Sequence, residues 1–369
     1  MILENLSIIN FKNYEGAEIS FCEKINCFIG NNGTGKTNLL DAIHYLSLCK
    51  SYFNTTDSLN VRFDTEFFVV QGNFRTESDV EYEIYCGFKR NAKKMFKRNQ
   101  KEYERLSDHI GLVPLVMVTP SDIMLITEGS EERRKMVDAI ISQFNKSYLE
   151  QLIRYNKTLA QRNKLLKDFN NGMPFNNELI ETYNIQLCSY GEAVYNARKT
   201  FISDFMPVFN QYYQYISGNQ EVVGIDYESQ LNNGSFEELL NQSLQKDRIL
   251  EYTSNGIHKD DFIFNLQNYS LKKIGSQGQQ KTFLVALKLA EFEFISKHLG
   301  EVPILLLDDI FDKFDSERVN KIIELVADNK FGQIFITDTN SGRIDEIIRK
   351  TTMNHKLFNV VKGTVNEEK

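Results

Sequence analysis

Short alternating runs of apolar and polar residues dominate the N-terminal part of the chain. Leu6, Ile8 and Phe11 recur at strand-like intervals, and two further runs at 61–74 and 80–88 repeat the pattern. Such alternation predicts strands with one buried face. Because the last two runs follow each other along the chain, we expect them to form an antiparallel meander.

Three other apolar runs are continuous, which is the pattern of strands buried on both faces in a parallel sheet. They lie at 25–29, 112–118 and 303–307. After the first of them, apolar residues return at helical spacing over 38–48, which predicts a helix. We therefore expect an α/β fold with a mixed sheet, an antiparallel meander plus a parallel core.

From 131 to about 217 the apolar spacing becomes helical. Breaks are predicted at 170–174 and at Pro207, where Asn, Gly and Pro residues interrupt the pattern. A coiled-coil-like stripe in the last third predicts a short antiparallel bundle with this stripe in its core. The stripe consists of Leu179, Tyr183, Leu187, Tyr190, Val194, Ala197 and Phe201.

Strand-like alternation returns at 223–227 and again at 262–266. We expect the second of these runs to rejoin the first domain. The chain then divides into an N-terminal lobe at 1–125, an inserted α-helical second lobe at 126–220, and a part at 221–369 that completes the first lobe.

The composition is that of an ordinary soluble globular chain, with 369 residues, 41% hydrophobic and 25% charged. Five cysteines without a C-x-x-C pair favour reduced thiols in the cytoplasm. Neither a signal peptide nor an apolar run long enough to span a membrane is evident. The net charge of −7 excludes a uniformly basic surface, so contacts with DNA must come from local patches.

Glycines and a lysine follow the first continuous apolar run in a pattern that binds phosphate. A G-x-x-x-x-G-K-[ST] sequence between a strand and a helix points backbone N–H groups and a helix start at a phosphate chain. Lys36 would reach the β and γ phosphates, and Thr37 would offer its hydroxyl to Mg2+. A nucleotide site is therefore favoured over a glycine-rich turn without ligand. The residues are Gly30, Asn31, Asn32, Gly33, Thr34, Gly35, Lys36 and Thr37, followed by Asn38.

Two acidic residues end the continuous apolar run at 303–307. Ligands of open α/β sheets bind at the carboxyl ends of the strands, where Asp308 and Asp309 are expected. Asp308 would hold Mg2+, and Asp309 would polarise the attacking water. Without the phosphate loop, an acidic turn after an ordinary strand would explain the pair equally well.

A helix start is predicted at 275–281, where Ser276 and Gln279 have the spacing of a capping box. A glycine-bearing helix N-terminus is also an anion site. Because it lies far along the chain from Lys36, we expect it to serve a phosphate bound to another subunit.

Basic residues gather in two places that could contact DNA phosphates. Seven of the thirteen residues from 89 to 101 are Lys or Arg, and a helical stripe of Arg154, Lys157, Gln161 and Lys164 follows in the next lobe. Solvated surface is an equally good interpretation of both. The cluster at 258–261 could bind a metal, but a structural or interface role is favoured. The candidates for DNA contact are Lys93, Lys94, Lys97, Arg98, Arg154, Lys157 and Lys164.

These segments together resemble the RecF family, bacterial recombinational-repair ATPases related to SMC heads and ABC ATPases. Asp309 stands where most ABC and SMC heads carry Glu, and Thr337 stands where ABC ATPases carry His. The segment before Arg133 lacks the proline expected there. The matching segments are 11–14, the Walker A loop at 30–38, 120–122, 133–138, 155–167, 256–261, the ABC-type signature at 276–282, the Walker B pair Asp308-Asp309, a D-loop at 311–315 and the switch strand at 334–337.

The resemblance implies an ABC/SMC-type P-loop ATPase head that works as an ATP-operated DNA clamp. ATP with Mg2+ would join two copies head to head, and slow hydrolysis promoted by Asp309 and Lys36 would release the DNA. Thr337 would occupy the switch position. The chain would be a weak, DNA-stimulated ATPase. The signature residues that would act on the nucleotide of the other copy are Ser276, Gly278, Gln279 and Gln280.

The resemblance also implies partners. The family works with RecR and RecO to help load RecA at single-strand gaps next to double-stranded DNA, and it supports replication restart and the SOS response. The expected ligands are therefore double-stranded DNA and gap or junction DNA, and no membrane.

Three other classes fit less well. A structural tether of the SMC type would need a longer coiled coil than the helical insert of roughly 90 residues can provide. The ATPase subunit of a transporter would not need the basic run at 89–101, which we expect to be a hairpin (the basic hairpin), or the segments that resemble the repair family. A P-loop kinase would not need a second helix start far from the phosphate loop.

Overall fold

The computed structural model describes residues 1–218, 221–310, 316–326, 330–340, 342, 344, 348 and 354–368. The strands, numbered along the chain, are β1 (Ile2–Phe11), β2 (Tyr14–Ser20), β3 (Ile25–Ile29), β4 (Phe67–Arg75), β5 (Glu81–Lys89), β6 (Met95–Arg98), β7 (Lys101–Glu102), β8 (Leu115–Val118), β9 (Val223–Glu228), β10 (Asp261–Leu266), β11 (Tyr269–Ser270), β12 (Ile304–Asp308), β13 (Ile334–Asp338), β14 (His355–Val361) and β15 (Thr364–Glu368). The helices are α1 (Lys36–Leu48), α2 (Met124–Thr127), α3 (Ser130–Phe144), α4 (Lys146–Asn170), α5 (Asn177–Ser217), α6 (Phe236–Leu250), α7 (Leu271–Ile274), α8 (Gln277–Leu299) and α9 (Ser316–Val326).

The predicted meander and parallel core form two separate sheets. The antiparallel sheet has the order β2-β1-β4-β5-β6-β7. The other has the order β15-β14-β3-β13-β12-β8, in which the five strands from β14 to β8 pair in parallel and β15 pairs antiparallel at the edge. The expected fold class is confirmed, because both a meander and a mixed sheet with a parallel core are present.

Helix α1 fills the space between these two sheets. Leu39, Leu40, Ile43 and Leu46 are buried, and so are residues on the other faces of the helix, such as Tyr45. They form one apolar cluster with side chains of the antiparallel strands and of the parallel core. A helix that is covered all round fixes the position of the loop that precedes it.

The chain divides into two compact units. The first contains Met1–Asp122, Tyr212–Asn219 and Lys281–Lys369, and the second contains Ile123–Gln211 and Gln220–Gln280. Residues 220–280 thus group with the helical unit, whereas the sequence predicts a return to the first lobe from 221. Strand β10, expected to rejoin the first domain, instead pairs with β9 and β11 in a three-stranded antiparallel sheet of the second unit.

Charged side chains occupy the interior of the second unit. Arg162 is completely buried and donates to Asp247 at 2.8 Å and to Asn184 at 2.9 Å. Arg198 is also buried and donates to Asp138 at 2.9 Å and to Asp260 at 3.1 Å. These pairs tie α3, α4 and α5 to α6 and to the start of β10, which explains why residues 220–280 belong to this unit.

The inner face of α5 differs in part from the predicted apolar stripe. Leu187, Val194 and Phe201 are buried as predicted, but Leu179 is exposed. Asn184 and Arg198 on this face join the network of buried charges, and Gly191 lies against the rings of Phe236 and Tyr155. An apolar pattern alone cannot find such positions.

Pro207 does not break the helix, contrary to the prediction, because α5 continues through it to Ser217. Phe201, Phe205, Phe209 and Tyr213 around it are all buried. Burial of this aromatic row offsets the hydrogen bond that a helical proline loses. Within the described residues, no helix is long and apolar enough to cross a membrane.

Removing Arg162 should destabilise the second unit strongly. In Arg162→Ala, Asp247 remains buried without its partner, which should cost about 3–5 kcal/mol. Urea unfolding followed by helical circular dichroism would measure the loss. The control is Arg154→Ala on the same helix, where an exposed pair with Glu150 at 4.0 Å should contribute below about 1 kcal/mol. Equal unfolding midpoints for the two variants would contradict the prediction.

Candidate nucleotide site

The glycine loop between β3 and α1 has no room for a side chain at two of its positions. A Cβ on Gly30 would come within 2.4 Å of the carbonyl oxygen of Val360 on β14. Gly35 has a left-handed φ of 116°, and a Cβ there would lie 2.4 Å from the side-chain amide of Asn13. Glycine is required at both positions.

The turn between β1 and β2 supports the loop from outside. Asn13 donates through Nδ2 to the carbonyl oxygen of Thr34 at 3.0 Å, and Tyr14 donates to that of Gly35 at 3.0 Å. Asn38 on the helix donates to Asn13 Oδ1 at 2.7 Å. Sequence patterns predict no role for Asn13 and Tyr14 beyond the family resemblance, because support between distant segments leaves no local pattern.

The loop lysine folds over the loop. Lys36 Nζ lies 2.8 Å from the carbonyl oxygen of Gly30 and 3.1 Å from that of Asn31, and the side chain is buried. A cation held over this concave backbone, at the start of a buried helix, makes the loop a positively charged pocket for an anion.

Thr37 and the carboxyl end of β12 meet directly. The Thr37 hydroxyl donates to both oxygens of Asp308, at 2.9 and 3.0 Å. Thr337 on β13 donates to Asp308 Oδ1 at 2.7 Å. Three segments far apart in the sequence therefore converge on one carboxylate.

Asp309 follows with a left-handed φ of 44°. Its backbone N–H lies 3.0 Å from the Thr337 hydroxyl oxygen and 3.2 Å from the Thr337 carbonyl oxygen. Strained backbone of this kind is held by its surroundings and clusters at functional sites. Thr337 thus binds both acidic residues, one through its carboxylate and one through its backbone.

The donor set suits a hard divalent cation. Burial raises the pKa of Asp308, and hydrogen bonds from Thr337 and Thr37 and the charge of Lys36 act in the opposite direction. One hydroxyl and one carboxylate are too few ligands to hold a cation by themselves. The described residues also contain no group of three or more His, Cys, Asp or Glu that could bind a metal. This set fits Mg2+, which keeps several waters and takes its other ligands from phosphate.

A second polar network, which the sequence did not reveal, holds the far side of α1. Asp41 is fully buried, lies 2.5 Å from the Lys12 ammonium and accepts from Ser51 at 2.6 Å. Tyr52 donates its backbone N–H to Asp41 and its hydroxyl to Asp122. Both carboxylates are placed by residues of loops, which carry no periodic signal.

The predicted signature segment forms a helix start with the predicted capping box. The Ser276 backbone N–H donates to Gln279 Oε1 at 2.7 Å, and the Gln279 N–H donates to Ser276 Oγ at 3.3 Å. Ser276 is exposed, whereas Gly278 and Gln280 are half-buried. Gln279 also donates to Glu221 at 2.6 Å, and Gln280 donates to the Gly275 carbonyl. Ser276 belongs to the second compact unit and Lys36 to the first.

The 258–261 cluster has structural partners. His258 is half-buried between the Tyr155 hydroxyl at 2.8 Å and the Thr253 carbonyl oxygen at 3.0 Å, and loss of solvent lowers its pKa to about 4. Arg198 binds Asp260, and Arg133 binds Asp261 at 2.7 Å. These contacts favour the structural interpretation over a metal site.

One cation of the basic hairpin points into the protein, and several others face solvent. Lys94 donates to the Cys49 carbonyl oxygen at 2.7 Å and pairs with Asp57 at 3.0 Å, so its ammonium serves the interior. This placement contradicts Lys94 as a candidate for DNA contact. Lys93 and Arg98 are exposed, and Lys97 lies over the Tyr85 ring. Hairpin patterns do not reveal which side chain turns inward.

The helical stripe on α4 lies on its solvent side. Arg154, Lys157, Gln161 and Lys164 are all exposed, while Tyr155 and Arg162 on the opposite side are buried. The predicted common face therefore exists. The D-loop predicted at 311–315 lies outside the described residues.

The fold and the nucleotide site together indicate the class of protein to which the chain belongs. The family model that describes the RecF/RecN/SMC N-terminal domain matches residues 2–364. The Smc head domain of Pyrococcus furiosus has the same fold, with a TM-score of 0.58 at 15% identity over 100% of this chain and 96% of that one. The chain is thus a member of the class built on SMC-type heads.

Closer comparisons identify the family within that class. The DNA replication and repair protein RecF of Bacteroides fragilis is 52% identical over 367 residues, which cover 100% of this chain and 98% of that protein. RecF of Parabacteroides distasonis is 53% identical over 365 residues, 99% of each. A solved structure of the recombination mediator protein RecF with ATP superposes with a TM-score of 0.89 at 31% identity, over 100% of this chain and 98% of that one. The chain belongs to the RecF family.

The raised pKa of Asp308 leads to a prediction about stability. A carboxyl group whose pKa is raised by folding stabilises the protein below its ordinary pKa, and this contribution is lost as the pH rises through the raised value. Asp308→Asn should therefore increase the free energy of unfolding at neutral pH. The gain should shrink towards pH 4, about the ordinary pKa of an aspartate, because the wild-type carboxyl loses its charge as the pH falls.

Thermal unfolding of the nucleotide-free protein at both pH values would measure this effect. Asp41→Asn is the control, since it removes the charge that pairs with Lys12 and should destabilise the protein at neutral pH. A loss of stability in Asp308→Asn at neutral pH would refute the prediction.

Proposed function

We propose that this chain is an ATP-dependent DNA-binding protein of recombinational repair. The contact that carries the proposal is the Thr37 hydroxyl on both oxygens of Asp308, beside a loop whose lysine is already held over the phosphate position. Membership of the RecF family and the likeness to a RecF structure with ATP support ATP as the nucleotide. The ATP-binding residues are those from Gly30 to Asn38.

The residues in and around the loop have separate roles in binding and hydrolysing ATP. Lys36 exchanges its bonds to the Gly30 and Asn31 carbonyls for the β and γ phosphate oxygens, and the loop N–H groups bind the phosphate chain. Thr37 and Asp308 hold Mg2+, which neutralises charge that develops on the phosphates. Asp309 orients and polarises the attacking water, and Thr337 keeps both acidic residues in place.

We assign the second half of the site to another copy of the chain. Ser276, Gly278, Gln279 and Gln280 present a capped helix start, and a helix start binds anions. ATP then holds two copies head to head, with the phosphates of one copy against the signature of the other. Hydrolysis releases the pair, so the chain acts as a switch with weak, DNA-stimulated ATPase activity.

The dimer clamps DNA near single-strand gaps. Together with RecR and RecO it helps load RecA next to double-stranded DNA, and it supports replication restart and the SOS response in the cytoplasm. The support for these roles is family membership. The RecF relative from Bacteroides fragilis is a DNA replication and repair protein, and a RecF of known structure is a recombination mediator in the RecFOR pathway.

The dimer is tested by the mass of the protein in solution with and without ATP. Wild type should be a monomer that dimerises with ATP, and Asp309→Asn should give a dimer that persists because hydrolysis is blocked. Ser276→Arg is the matched variant, since it should bind ATP as a monomer without pairing. If Asp309→Asn remains monomeric at saturating ATP, the head-to-head arrangement is wrong.

The two basic surfaces can be separated by the salt dependence of DNA binding. Replacing Lys93, Lys97 and Arg98 together by Gln should flatten the slope of log affinity against log salt by about 2–3 if the hairpin contacts phosphates, since each contact contributes about 0.9. The matched variant replaces Arg154, Lys157 and Lys164 by Gln and changes the net charge equally. A slope that neither variant changes would assign both surfaces to solvent.

A further inference from the structure

An aromatic side chain projects into solvent from the loop between α1 and β4. Phe63 is 84% exposed, more than any other large apolar side chain that the structure describes. Three other exposed apolar side chains are Leu59 in the same loop, Ile9 on β1 and Phe67 at the start of β4. Exposed apolar surface that is clustered in this way marks an interaction site more often than chance placement.

The turn that carries Phe63 is firmly built. The Arg62 N–H donates to the Asn10 carbonyl oxygen at 2.8 Å, and the Thr65 N–H and hydroxyl both bind the Arg62 carbonyl oxygen, at 3.1 and 2.8 Å. Asp64 has a left-handed φ of 59°, which closes the turn. Val61 on the other side forms a bridge with Phe11. The ring is therefore presented from a fixed backbone.

The start of the basic hairpin lies beside this turn. Lys89 pairs in register with Phe67, and the Arg90 N–H donates to the Glu66 carbonyl oxygen at 2.9 Å. Lys89 and Lys93 are exposed. Acidic residues are present too, because Glu15 pairs with Arg62 at 3.2 Å and both Asp64 and Glu66 are exposed.

We propose that Phe63 stacks on an unpaired base of DNA, with Lys89 and Lys93 taking the adjoining phosphates. Proteins that bind single strands combine an aromatic side chain, which is indifferent to sequence, with cations that follow the backbone. A stacked duplex offers no base face except at an end or a gap, so this residue distinguishes gapped DNA from continuous duplex. The inference rests on the proposed DNA-binding function and adds a site for the unpaired strand.

Nucleic acid is favoured over a protein partner by the cations of the basic hairpin, which begins beside this turn. Six cations remain on the hairpin from 89 to 101 when the inward Lys94 is set aside, and they continue directly from the strand that pairs with Phe67. A protein surface that binds Phe63 would need no such series of cations.

The first test compares affinities for gapped and continuous duplex DNA of equal length. Phe63→Ala should weaken binding to gapped DNA by about 5- to 150-fold, the range of one lost base stack, and should leave duplex binding unchanged. Ile249→Ala is the control, since it removes a side chain of comparable exposure, 79%, from the other compact unit. Phe63→Tyr should retain the wild-type preference, because it keeps the ring.

The second test uses the absence of tryptophan from the sequence. Phe63→Trp introduces a single indole, whose fluorescence should be quenched by gapped DNA and not by continuous duplex. The exposed position should leave folding unchanged, which thermal unfolding of each variant would verify.

The outcomes separate this inference from the proposed function. Equal affinities of wild type and Phe63→Ala for gapped DNA, or equal losses on both DNAs, would overturn the stacking role while DNA binding stands. An indole that gapped DNA does not quench would also overturn it and leave a protein partner as the occupant. If wild type binds neither DNA, the proposed function itself fails.

Discussion

One buried carboxylate organises the first compact unit. Asp308 ends a central strand and accepts hydrogen bonds from Thr37 and Thr337, and burial raises the pKa of its carboxyl group. The folded chain therefore carries a charge that its surroundings only partly satisfy. A cation with phosphate ligands would neutralise this charge. The free energy that the buried acid costs the nucleotide-free protein is then recovered when the nucleotide binds. The strained backbone at Asp309 is held by the same threonine.

The second compact unit is built on a different principle. Arg162 and Arg198 are buried and joined to Asp247, Asp138 and Asp260 across several helices. Charges buried in this way contribute less to stability than to a defined arrangement, because any other packing would leave them unpaired. The half-buried His258 and the buried Tyr155 belong to this framework.

The candidate site was predictable where its residues are neighbours in the sequence. The loop from Gly30 to Thr37, the acidic pair after β12 and the capping box at Ser276 each form a short pattern with a physical cause. Asn13, Asp41 and Tyr52 were missed as supports, and Lys94 was placed wrongly, because each depends on a partner from a distant segment. Pro207 was misjudged because aromatic packing outweighed local helix propensity.

The sequence by itself determined most of the strands and helices, the phosphate loop and the class of fold, since these follow from periodicity and from local backbone requirements. The tertiary structure decided that residues 220–280 join the helical unit, which cations of a charged run face solvent, and that Thr337 binds both acidic residues. It also placed the exposed Phe63 beside the basic hairpin. These features depend on contacts between segments far apart in the chain, and such contacts are selected by the energy of the whole fold and not by any one segment.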